Sequence, residues 1–391
     1  MEKNSFTNTF PCGTIFKETT RKEEPPDMLT SEQLSRIKVA GFKSIEKCDL
    51  ELGNINVLIG SNGAGKSNFI SVFSLIQSIL LKRLQFTVAR AGLNPLLYKG
   101  RKTTDTISVE AFFGNNSYGF DLTVSDENRL FFKDEYFGYY LNFENRSSLG
   151  SGHEESKWFE GTKNRLNDYV YPILKKQAWK VYHFHDTSRS SVIKQEHNVA
   201  NCQTFMEDGR NLAAFLFRLK QFFPRHYAEI VKTIQLIAPY FDDFYLAPQE
   251  NNDELIVLRW KQVGCDDVFY ASQLSDGTLR FICLATLLLQ PKELQPPTII
   301  IDEPELGLHP LAITILGEMI RRAGLEGQII VSTQSVELLN EFEPEEVIVV
   351  NGTENGTCFK RLSADDLSVW LEDYSLGELW KKNVIGGRLS Q

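Results

Sequence analysis

The segment "GSNGAGKSN", Gly60 to Asn68, constrains this chain more than any other stretch. It satisfies G-x-x-x-x-G-K-[ST], in which glycines reach backbone conformations closed to other residues, so that successive N–H groups point at one anion. Such a loop belongs between a strand and a helix. "NINVLIG" (54 to 60) is a short Ile- and Val-rich apolar run, and "KSNFISVFSLIQSILLKRL" (66 to 84) places Phe69, Val72, Phe73, Ile76 and Leu80 at helical spacing. The helix start adds roughly half a positive charge. The pattern predicts a nucleotide-phosphate cradle made of Gly60, Ser61, Asn62, Gly63, Ala64, Gly65, Lys66, Ser67 and Asn68. Lys66 is expected to reach the β and γ phosphates, and Ser67 to supply an oxygen to Mg2+.

The second half completes the site. "PTIIIDEPELGLHP" (297 to 310) opens with a buried β run and ends it in Asp302 and Glu303. Asp302 at the strand tip is expected to hold the Mg2+ water shell, and Glu303 to orient and deprotonate an attacking water. Upstream, in "QLSDGTLRFICLATLLLQP" (273 to 291), Ser275, Asp276 and Gly277 precede a helix with Leu279, Ile282, Cys283, Thr286 and Leu287 on one face. A hydroxyl and free N–H groups at a helix start again suit an anion. Two such helix starts from one chain do not easily meet on one γ-phosphate, whereas a second protomer can bring the other.

This order of motifs resembles the ATP-binding-cassette class of ATPases. "LSDGTLR", "IDEPELGLHP" and "STQS" are similar to its RecF, OLD and SMC branch, especially to stand-alone bacterial ATPases of anti-phage and toxin-like operons. "GFKSIEKCDLELGNINVLIGSNGAGKSN", "VYHFHDTS" and "WLEDYSLGELWKKNVIGG" extend the resemblance from about Ile37 to Gly387. It implies an α/β ATPase head with a central, mostly parallel sheet flanked by helices, an antiparallel β subdomain, an inserted α/β lobe and no long coiled coil. It also implies ATP and Mg2+ as cofactors, and a homodimer or higher even-numbered oligomer in which Ser275, Asp276 and Gly277 close over ATP held by the opposite copy. A separate Toprim-like or HNH nuclease or toxin subunit would be the effector, since this chain has neither the D-x-D pattern of the one nor the metal cluster of the other. Two further readings are a RecF-like DNA-binding ATPase and, with less support, a transporter's nucleotide-binding subunit.

Where many cassette ATPases carry a histidine after the strand that follows the catalytic Glu, "QIIVSTQS" offers Gln334. An amide donates a hydrogen bond to γ-phosphate or water but carries no proton charge, so slow turnover is expected. The glutamine of the usual lid segment has no evident counterpart. His183 and His185, on one face of a strand, are read as hydrogen-bonded structural histidines, because two metal ligands without a third nearby are too few. Arg189 has two readings, a γ-phosphate contact and an ordinary surface arginine. His309 and Pro310 open a helix, "LAITILGEMIRR", that similar ATPases put at the dimer seam.

The chain is expected to divide into a polar N-terminal arm (1–33), a first ATPase lobe (34–100), antiparallel strands with an inserted lobe (101–270), and a second ATPase lobe (271–391). Alternation over 104–145 predicts antiparallel strands, "GSGHEESKWFEGTKNR" (150 to 165) a polar, disordered loop, and 208–239 two amphipathic helices split at Pro224. Phe112, Phe113, Tyr139 and Tyr140 are read as core rather than as base-stacking platforms, since no basic cluster accompanies them. A net charge of −9 argues against coating nucleic acid through bulk charge. Six scattered cysteines without a C-x-x-C pair, no apolar run long enough for a membrane span and no signal-peptide core point to a reduced, cytoplasmic protein.

Overall fold

The computed structural model describes residues 33–139, 145–159, 165–175 and 179–387; nearly all of the expected N-terminal arm, and Tyr140, lie outside them. In chain order the principal strands are β1 (Arg36–Phe42), β2 (Ile45–Glu51), β3 (Ile55–Ile59), β4 (Thr106–Phe113), β5 (Asn116–Val124), β6 (Leu130–Tyr139), β7 (Asn145–Gly150), β8 (Trp179–Tyr182), β9 (His197–Asn198), β10 (Phe241–Phe244), β11 (Leu255–Ile256), β12 (Arg259–Gln262), β13 (Val268–Tyr270), β14 (Thr298–Asp302), β15 (Gln328–Thr333), β16 (Val347–Thr353) and β17 (Gly356–Arg361). The helices are α1 (Lys66–Leu80), α2 (Leu84–Ala91), α3 (Arg165–Lys175), α4 (Leu212–Phe222), α5 (Pro224–Ile237), α6 (Asp276–Leu289), α7 (Pro310–Glu326), α8 (Val336–Leu339), α9 (Ala364–Leu371) and α10 (Leu376–Lys381).

The central sheet has the order β17-β16-β3-β15-β14-β8, parallel throughout except for the terminal β17. Parallel strands covered on both faces read as continuous apolar runs, which is why "NVLI", "TIII" and "QIIV" show no alternation. The pleat then divides them. Leu58, Ile300, Ile330, Ile348 and Val350 face α1 and the antiparallel sheet, whereas Val57, Ile59, Ile299, Ile301, Ile329 and Val331 face α6 and α7. The antiparallel sheet, β2-β1-β4-β5-β6-β7, carries Phe113, Tyr118, Phe120, Phe132 and Phe137 fully buried. Of the aromatics expected in the core, Phe113 is there, whereas Phe112, though buried, lies outside its apolar cluster with Arg36 and Lys38 over its ring at 5.7 and 5.2 Å, and Tyr139 is half-buried.

Three expectations shift. The helix from Lys66 stops at Leu80 because Lys82 takes a left-handed backbone (φ 54°), and α2 begins afresh. From Phe281 onward every residue of α6 is buried, so the helix has no solvent face there; α4, α5 and α7 enclose it. Within the loop expected to be disordered, residues 150–159 are packed: Ser156 Oγ, the Lys157 N–H and His153 Nε2 all bond the fully buried Glu135 carboxylate, to which Tyr118 Oη donates at 2.7 Å. β8, from the expected inserted lobe, pairs in parallel with β14 as the edge of the central sheet.

Candidate phosphate and hydrolysis site

β3, β15 and β14 run parallel, so their C-terminal ends gather at one edge of the sheet, the place where open α/β sheets bind ligands. The loop after β3 leads into α1 with Gly65 as N-cap at φ 112°, a conformation L side chains rarely adopt. A Cβ there would also meet Thr357 Oγ1 at 2.1 Å. Thr357 itself donates to Ala64 O at 3.1 Å, fixing the loop from β17. Ser61 N–H donates to Gly387 O at 2.6 Å, and Gly387 N–H to Asn351 Oδ1 at 2.6 Å, so the C-terminal segment also braces the loop.

Lys66 is buried, and its Nζ donates to Gly60 O at 2.7 Å and Ser61 O at 3.1 Å. Burial lowers its pKa, while the carboxylates of Glu303, Asp302 and Glu305 oppose that effect. Lys66 and the acidic cluster of β14 are thus electrostatic neighbours. Ser67 is exposed in the first turn of α1. Asn68 Nδ2 donates to Ser44 Oγ at 2.7 Å, so its side chain ties α1 to the β1–β2 turn.

Asp302 ends β14 level with Ser332 of β15. Asp302 Oδ1 and Ser332 Oγ are buried without hydrogen-bond partners. A buried, orphaned carboxylate oxygen beside the phosphate loop fits a hard cation that prefers oxygen ligands and keeps part of its water shell, as Mg2+ does. Glu303 follows at φ 46°, a left-handed conformation costing about 1 kcal/mol or more for a non-glycine residue, and its N–H donates to Ser332 O at 2.8 Å. Gln334 Nε2 donates to Glu303 Oε1. The backbone turn and the amide together aim the Glu303 carboxylate.

A family model described as "AAA domain, putative AbiEii toxin, Type IV TA system" matches residues 55–340, from β3 through the whole of this edge. The chain belongs to that family. It is therefore an AAA-type ATPase, and its fold is that of SMC ATPase heads. Three solved structures share the fold. An Smc head bound to the C-winged helix domain of ScpA is 16% identical with a TM-score of 0.57, over 86% of this chain and 99% of that one. A Pyrococcus furiosus Smc head with an extended coiled coil, bound to the C-terminal domain of ScpA, is 16% identical with a TM-score of 0.53, over 87% and 99%. A Pyrococcus yayanosii Smc head with a coiled coil and joint is 12% identical with a TM-score of 0.50, over 87% and 99%. No curated protein matches the chain.

In this AAA-type ATPase, Ser275 caps α6: its Oγ accepts from Thr278 N–H at 3.1 Å. Asp276 lies 3.5 Å from Lys194 Nζ. A Cβ on Gly277 would meet Gly307 O at 2.4 Å, so the start of α6 lies directly on the loop after β14. Among the described residues, none of these three hydrogen-bonds Gly60–Asn68 of the same chain. Arg189 is exposed. His309 Nδ1 accepts from Leu311 N–H at 3.3 Å as the N-cap of α7, with Pro310 in its first turn.

Two residues of this ATPase head escaped sequence reasoning. Glu305 is buried and accepts from Gln334 N–H at 2.9 Å, and burial raises its pKa. Arg280 donates to Phe184 O at 3.0 Å, to His185 O at 3.1 Å and to Leu306 O, joining α6, the segment after β8 and the loop after β14. Its signal was a lone cation within the apolar run of α6. Among the described residues no helix is long and apolar enough to cross a membrane.

Proposed function

We propose that this ATPase is a molecular switch that pairs head-to-tail with a second copy around two Mg-ATP molecules and thereby controls a separate effector, in an anti-phage setting. The observation that carries the reading is the separation of functions within one chain. Lys66, Asp302, Glu303 and Gln334 gather at one sheet edge, whereas Ser275, Asp276 and Gly277 present a helix start that makes no bond to the same chain's phosphate loop. The solvent-exposed Ser275 and Asp276 leave that helix start accessible to a second copy. The match to SMC heads bound to ScpA domains supports partner binding by this fold, and the toxin–antitoxin wording of the family supports the defence setting.

Hydrolysis then follows from the groups at the edge. Lys66 Nζ exchanges the Gly60 and Ser61 carbonyls for phosphate oxygens, a charged hydrogen bond of roughly 1.5 to 3 kcal/mol. Ser67 and Asp302 would hold Mg2+, which when bound offsets phosphate charge. Glu303 accepts the proton of a water whose oxygen bonds to the γ-phosphorus as the bond to the β–γ bridging oxygen breaks, releasing ADP and phosphate. Gln334 keeps Glu303 in position and carries no charge itself, in keeping with slow turnover. Ser275 from the second copy completes the site and makes hydrolysis depend on assembly.

Glu303→Gln keeps the shape of the site and removes the base. With ATP and Mg2+ it is expected to sediment as a dimer or larger even-numbered species and to turn over about 10²- to 10⁴-fold more slowly than wild type. A monomer under those conditions would sink the head-to-tail switch.

A further inference from the structure

The register of the central sheet brings together three side chains that the phosphate chemistry does not need as a group. β8 pairs in parallel with β14, Tyr182 opposite Ile301, so the next residue, His183, comes level with Asp302. Beyond β8 the chain alternates: Phe184 is buried, and His183 and His185 are exposed on the same side, with ring centroids 6.0 Å apart. One ligand atom each from His183, His185 and Asp302 lies within 4.8 Å of the others. This corrects the expectation of structural, hydrogen-bonded histidines lacking a third ligand. Neither imidazole makes a hydrogen bond to a described residue, and the third ligand is the tip of β14, about 120 residues further along the chain.

The backbone that carries the rings is held from two directions. Arg280 donates to Phe184 O at 3.0 Å and His185 O at 3.1 Å, and His183 N–H donates to Glu207 O at 3.0 Å. The main chain is fixed while the ring nitrogens stay free, and Asp302 Oδ1 is buried without a partner. Around one tetrahedral ion with bonds of about 2.0 to 2.2 Å the ligand atoms would stand roughly 3.3 to 3.6 Å apart, about 1 Å closer than the present limit of 4.8 Å, a change that rotation of two exposed imidazoles can supply. Imidazole nitrogens suit the later first-row divalent ions, whereas Mg2+ demands oxygen.

We propose that His183, His185 and Asp302 form a binding site for a late first-row divalent ion of the Zn2+, Co2+ and Ni2+ class, next to the phosphate cradle and sharing Asp302 with it. Three protein ligands leave the remaining coordination positions to water. The site rests on the proposed function only in giving Asp302 a second duty; its existence requires no nucleotide.

The test is Co2+ binding to the tag-free full chain without nucleotide or Mg2+, read by equilibrium dialysis and visible absorption. One Co2+ per chain is expected, weakened at least tenfold in His183→Ala/His185→Ala and in Asp302→Asn, and retained in Lys66→Ala, which loses ATP binding under the proposed function. Retention in Lys66→Ala thus separates the two readings. Co2+ binding that is absent from wild type, or equally strong in the double histidine variant, would overturn the site. Should the variants fail to fold, zinc-edge X-ray absorption of the wild-type chain decides: a shell with two imidazole nitrogens is expected, and an all-oxygen shell would overturn it.

Discussion

Gln334 at the end of β15 donates its side-chain amide to Glu303 and its backbone N–H to Glu305 Oε1 at 2.9 Å, so a single residue holds both carboxylates that follow Asp302. One of them is the proposed base and the other is buried scaffold. The proposed base is thereby held by a neutral group.

Removing that amide frees Glu303 without changing its charge. Gln334→Ala is expected to lower kcat for ATP hydrolysis about tenfold with KM nearly unchanged, since positioning of the water and not ground-state binding is lost. Steady-state phosphate release across ATP concentrations separates the two constants. A rise in KM at constant kcat would assign Gln334 to ATP binding instead.

Arg280 joins three carbonyls from two segments. In Arg280→Ala those acceptors lose a charged donor, and a loss of at least about 1.5 kcal/mol is expected from urea or guanidinium unfolding. Arg280→Lys recovers only part of it, because an ammonium lacks the planar fork that reaches Phe184 O and His185 O together. Equal stability of the two variants would show that charge, and not geometry, is what matters here.

Glu305 gives stability a pH dependence of defined sign. Burial raises its pKa above 4.5 in the folded chain. Below that ordinary value both states hold the proton and no penalty arises. As pH rises, the unfolded chain ionises first, so wild type loses stability from about pH 4.5 until the folded carboxyl has also ionised. Glu305→Gln lacks this loss, and its stability relative to wild type is expected to improve between pH 4.5 and neutrality, measured by denaturant melts along a pH series. A pH-independent difference would mean that Glu305 ionises normally.

Gly277 lies in the first turn of α6, where alanine ordinarily favours a helix. Here the added methyl would stand 2.4 Å from Gly307 O. Gly277→Ala is therefore expected to destabilise the chain by about 1 to 3 kcal/mol and to slow hydrolysis by displacing the loop after β14. A gain in melting temperature would show that this loop yields freely.

Much of the architecture is legible in the residue order because its causes are local. The phosphate loop needs glycine where φ is positive, the strand before it is a run of branched apolar residues, and α1 repeats its apolar residues every three or four positions; each of these is a property of neighbours in sequence. The same locality explains the tip of β14 at Asp302 and the cap of α6 at Ser275. The burial of α6 on all sides and the ordered packing of 150–159 depend on what arrives from elsewhere in the chain.

By itself the sequence determined the phosphate cradle, the acidic strand end and the α/β character of the head, since backbone conformation and hydrophobic periodicity are set within a few residues. Only the tertiary structure decided that β8 would flank β14, that Arg280 would span three segments, that Gln334 would bond Glu303, and that His183 and His185 would meet Asp302. Those relationships join residues far apart along the chain, and strand order and register, which no local preference encodes, are what bring them within reach.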